Sequence, residues 1–135
     1  MTKAIELKET SSPKSILSIS YDEPLLLTRE WMLKAEGYHV TSAIGFTEAL
    51  SYCNRPYDLA IIGHSIPRRD KLALIAEIKK RCRAPVLSIV RHGELGLPEA
   101  DAWVDSSDQP EALLRAVDNI LYSPAKTDDA KLSSR

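Results

Sequence analysis

Short β-prone runs alternate with stretches of helical periodicity from about residue 15 to residue 122. Residues 17–20 form a first β-prone run, which ends at the turn Tyr21-Asp22-Glu23-Pro24. Proline suits the first turn of a helix, where its missing N–H costs nothing. Leu25, Leu26, Trp31, Met32, Leu33 and Ala35 then recur at helical spacing, and Gly37 is placed to stop that helix. Residues 38–42 read as a strand and 47–53 as a short helix closed by Asn54-Arg55-Pro56. The continuous apolar run 59–62 suits a central strand covered on both faces. Leu72, Leu74, Ile75 and Ile78 predict a helix over 70–82, whose basic end Lys79-Lys80-Arg81 complements the helix dipole. Residues 85–90 and 102–104 are further strands, and 110–121 is a last amphipathic helix with Asp108 as its N-cap.

Strands alternating with helices imply crossover connections and a parallel sheet with helices on both faces. Right-handed crossovers leave few topologies, and a doubly wound, flavodoxin-like α/β sheet of order 2-1-3-4-5 is expected. Such sheets place their functional crevice outside the carboxyl ends of the strands. That rim is built here from Tyr21-Asp22-Glu23, Gly63-His64-Ser65 and Val90-Arg91-His92.

Composition narrows the function classes. The 135 residues suit one domain, and a formal net charge of −1 offers no global field for nucleic acid or a membrane surface. No apolar run approaches the length of a membrane span, and the start lacks the apolar segment of a signal peptide, so a cytoplasmic location is expected. Residues 1–14 and 123–135 have the composition of flexible tails around a domain at 15–122. Cys53 and Cys82 are far apart in sequence and form no C-x-x-C pair; they read as small buried or half-buried thiols.

Within this frame a set of fragments stands in order: Asp22-Glu23-Pro24-Leu25, Glu36-Gly37-Tyr38, Tyr57-Asp58-Leu59, Pro67, Ala84-Pro85-Val86 and Ala100-Asp101-Ala102-Trp103. Together they resemble the receiver domains of bacterial two-component response regulators. The resemblance implies a phosphorelay domain that accepts a phosphoryl group on an aspartate after the third strand. An acidic pair after the first strand would help to hold Mg²⁺, and a Thr or Ser after the fourth strand and a Lys after the fifth would contact the phosphoryl oxygens.

Carried over residue by residue, these positions are degenerate. The acidic pair falls on Tyr21 and Asp22, with Glu23 beside it as a residual acidic pocket. The acceptor falls on Gly63, the hydroxyl position on Val90, the Lys position on Ser106, and the aromatic switch position on Trp103. Mg²⁺ takes an octahedron of hard oxygens from carboxylates and phosphate, and this set offers few. The expectation is a pseudo-receiver that is not phosphorylated at the usual site, uses no cofactor or metal, and is not an enzyme. It would act in signal transduction by contact with a protein partner or with itself, and no membrane or nucleic-acid partner is expected. The alternative is small-ligand or metal sensing at the rim, with His64 and His92 as candidate ligands and Asp22 as a possible third.

The resemblance breaks between the fourth and fifth strands, where receivers carry a full helix. Here the connection holds Arg91-His92-Gly93-Glu94-Leu95-Gly96-Leu97-Pro98-Glu99, and its glycines and proline predict a loop or single turn. Apolar strand surface would then lie open unless Leu95 and Leu97 fold back over it. The basic residues Arg55, Arg68, Arg69, Lys71 and the Lys79–Arg83 cluster read as a solvated face.

Overall fold

A computed structural model describes residues 13–107 and 110–122. Residues 1–12 and 123–135, within the expected tails, and the expected N-cap Asp108 lie outside the described residues. The elements in chain order are β1 (Ser15–Ser20), α1 (Glu23–Ala35), β2 (His39–Ile44), α2 (Phe46–Tyr52), β3 (Leu59–Ile62), α3 (Arg68–Arg81), β4 (Val86–Val90), β5 (Ala102–Asp105) and α4 (Pro110–Tyr122). The strands form one five-stranded sheet of order β2-β1-β3-β4-β5, with every pairing parallel.

Period-two alternation in the strands divides the core. Ile16, Leu59, Ile61, Leu87 and Ile89 face Leu33 of α1 and Leu113 and Val117 of α4. Leu17, Ile19, Ala60, Ile62 and Val86 pack with Leu74, Ile75 and Ile78 of α3 on the other side. β3 and β4 are buried throughout, as strands covered on both faces must be.

Local chemistry sets the element ends. Asp22 caps α1 by accepting from the Leu25 N–H at 3.2 Å, and Pro24 occupies the first turn. Gly37, at φ 95°, ends it: Gly37 N donates to Lys34 O and Tyr38 N to Leu33 O, the paired bonds of a Schellman motif. Trp31 departs from the expected apolar stripe. It is 82% exposed, because Leu26, Arg29 and Leu33 form the inward face of α1.

Between β4 and β5 no helix forms. Leu97 folds back, 2% exposed, into the cluster that holds Ile66 and Leu74, whereas Leu95 stays 82% exposed. Leu97 thus covers apolar surface on the α3 side of the sheet. Gly96 lies against the Trp103 indole so closely that a β-carbon there would come within 2.4 Å of the ring. The two cysteines, distant in sequence, meet at the C-caps of α2 and α3, where Cys82 Sγ donates to Cys53 O at 2.9 Å.

Candidate functional site

The carboxyl ends of β1, β3, β4 and β5 stand in a row. Ile19 pairs with Ile62, Val90 with Asp105, and Ser106 N donates to Val90 O at 2.7 Å. Ser20, Gly63, Val90 and Ser106 are therefore brought to one rim. Two hydroxyls bind the loops together. Ser20 Oγ accepts from Asp22 N at 3.0 Å and meets Ser65 Oγ at 3.2 Å, and Ser65 Oγ accepts from Tyr21 N at 3.0 Å.

Gly63 is buried at the end of β3, its N–H bonded to Ile19 O at 2.9 Å. A β-carbon at Gly63 would lie 2.9 Å from Arg29 Nη1, 3.2 Å from Ile19 O and 3.5 Å from Ser20 Oγ. The Arg29 guanidinium thus stands where a side chain at this position would begin. Helical side chains lean toward the helix N-terminus, which carries the guanidinium from mid-helix up to the rim. Arg29 is only 8% exposed, and its Nη1 has no hydrogen-bond partner. Burial lowers its pKa, against the opposing field of Asp22.

The other predicted positions have found other work. The Asp22 carboxylate is the N-cap of α1, and Glu23 is exposed in the first turn. The Tyr21 hydroxyl donates to Asp70 Oδ2 at 2.8 Å, and burial together with that carboxylate raises its pKa. His64 is half-buried beside the rim, with Nδ1 buried and unpartnered. Its pKa is lowered by burial first and then by the positive fields of Arg29, Arg91 and Lys71. His92 is turned outward, and its Nδ1 lies 3.2 Å from Asp105 Oδ2.

Asp22, His64 and His92 are therefore not assembled as a metal site, and among the described residues no group of three His, Cys, Asp or Glu side chains is placed to hold a metal ion. Mg²⁺ does not fit this crevice. Asp22 Oδ1 accepts the cap bond of α1, and the Arg29 guanidinium lies 2.9 Å from where a Gly63 β-carbon would stand.

Lys71 corrects the expectation of a wholly solvated basic face. It is 4% exposed, and its Nζ donates to Ile89 O at 2.7 Å and Ser88 Oγ at 3.1 Å. Burial lowers its pKa. Sequence reasoning missed both buried cations, although each left a signal. Arg29 lies three residues after Leu26 and four before Leu33, and Lys71 three before Leu74 and four before Ile75, each inside a buried helical stripe.

No protein-family model matches the chain, and no curated protein does. Solved structures do match. A response regulator receiver domain protein (CheY-like) from Methanospirillum hungatei is 22% identical, with a TM-score of 0.71 over 88% of this chain and 99% of that one. The response regulator TrrA from Thermotoga maritima, in complex with Mg(2+)-BeF, is 26% identical, with a TM-score of 0.69 over 80% and 99%. A structure described as adenylate cyclase from Rhodopirellula baltica is 15% identical, with a TM-score of 0.72 over 92% and 100%. The doubly wound sheet is thus the flavodoxin-like fold in its CheY-like form. The chain has the receiver-domain fold of response regulators.

Proposed function

We propose that this domain is a pseudo-receiver of two-component signalling, non-catalytic and cytoplasmic, which acts through phosphorylation-independent contact with a signalling partner or with itself. One observation carries the reading: Arg29 Nη1 lies 2.9 Å from where a Gly63 β-carbon would stand, so a fixed buried cation replaces the acceptor side chain. Val90 supplies no hydroxyl at the neighbouring strand end, and Ser106 supplies no cation. The exposed apolar side chains Leu27 and Trp31 on α1, and Leu95 with Trp103 near β5, offer surface to a partner.

Intact-mass spectrometry after incubation with acetyl phosphate and Mg²⁺ tests the proposal. An unchanged mass is expected. A hydroxylamine-labile phosphoryl adduct on this chain would contradict it.

A further inference from the structure

A cleft of about 160 Å³ opens between α1 and the rim end of β5 and α4. Its apolar wall includes Leu25 and Met32 of α1 with Ile89, Val104 and Leu113. This volume is close to the roughly 150 Å³ of an engineered apolar cavity that takes up benzene. The cleft lies on the α1 and α4 face of the sheet, near the carboxyl ends of β4 and β5.

Its polar lining is unequal. Thr28 Oγ1 donates to Pro24 O at 2.9 Å. Asp105 Oδ1 accepts from Ser107 N and Oγ at 2.8 and 2.7 Å, and its Oδ2 faces His92 at 3.2 Å. Arg29 also lines the cleft, yet it makes no ion pair among the described residues despite being 8% exposed. The Ser106 hydroxyl lines the same cleft. A buried cation that makes no direct ion pair is costly even with the field of Asp22 nearby, and an anion that enters the cleft would offset that cost.

We propose that this cleft binds a small organic monocarboxylate with a body about the size of a benzene ring. The carboxylate sits on Arg29 and Ser106, and the body sits against Leu25, Met32 and Val104. The proposal goes beyond the partner reading and stands whether or not that reading holds.

Benzoate, benzyl alcohol and inorganic phosphate are the probes, titrated separately into the full chain and followed by amide-correlation NMR. Benzoate is expected to give saturable shifts at Leu25, Met32, Ile89 and Val104, and to bind at least roughly tenfold more tightly than benzyl alcohol, the advantage of one charge-assisted contact. Arg29→Met should erase that advantage. Met32→Trp, which fills the cleft and leaves the charge in place, should abolish benzoate binding. Equal affinity for benzoate and benzyl alcohol overturns the proposal, as does wild-type binding by the Met32→Trp variant. Phosphate that shifts the same amides as strongly as benzoate overturns the assignment to an organic acid, and the absence of any saturable shift overturns the site.

Discussion

Replacing Arg29 with Met should stabilise the domain, contrary to the usual result of truncating a buried side chain. The guanidinium is 8% exposed, and its Nη1 has no partner. An unsatisfied buried donor costs about 1–3 kcal/mol, more when charged. Replacing buried charge by an apolar group of similar volume is often neutral or stabilising, by about 1–4 kcal/mol. Methionine keeps most of the aliphatic stem that packs beside Leu26 and Leu33 and removes the charge. What is lost is the attraction of Asp22, the one favourable field on this arginine. The balance predicts a gain of about 1–2 kcal/mol, which corresponds to a rise in Tm of roughly 4–8 °C for a domain of this size. Urea unfolding in a buffer free of organic acids, with m unchanged, is the assay. A fall in stability of similar size would show that the guanidinium is well satisfied in the crevice, and would remove the energetic basis of the argument.

Three further outcomes follow from the same geometry. Gly63→Asp places a carboxylate against the guanidinium, so it should stay within about 1 kcal/mol of the wild type while Arg29 remains; in the Arg29→Met background it should be destabilising, with a coupling of about 1.5–3 kcal/mol in a double-mutant cycle read by urea unfolding. Leu97→Ala should cost about 2–4 kcal/mol in the same assay, because Leu97 is 2% exposed and covers apolar surface where no helix forms between β4 and β5. His64 has a folded pKa below its ordinary value, so in acid the unfolded chain binds a proton that the folded one resists. Stability should therefore fall as pH drops below about 6.5, and His64→Gln should flatten that decline in urea midpoints measured across the range.

Much of the fold was legible because backbone rules are local. Pro24, Gly37 and the apolar run 59–62 each answer to one physical requirement, and the strand order followed from right-handed crossovers. The lost helix between β4 and β5 was legible for the same reason, since glycines and a proline oppose helix at close range. Of the two leucines that could cover the exposed strand surface, Leu97 is buried and Leu95 stays in solvent, with Gly96 between them packed against Trp103.

The crevice was legible in position and not in content. The sequence put Gly63 at the expected acceptor position, but pattern alone does not say which side chain packs against it. Arg29 and Lys71 reach their places from helices on opposite faces of the sheet, through long stems whose direction depends on tertiary packing. His92 was expected at the rim but turns outward to Asp105, a partner thirteen residues away by strand pairing rather than by spacing.

The central claim is that a buried guanidinium has replaced the phosphoryl switch, and an amide-correlation NMR titration with Mg²⁺ and beryllofluoride tests it most directly. Beryllofluoride mimics an aspartyl phosphate and needs a carboxylate acceptor and a metal. The account predicts that amides of Gly63, Val90, Trp103 and α4 keep their positions through the titration. Saturable shifts that spread from Gly63 through β5 into α4 would show a working switch and contradict the account.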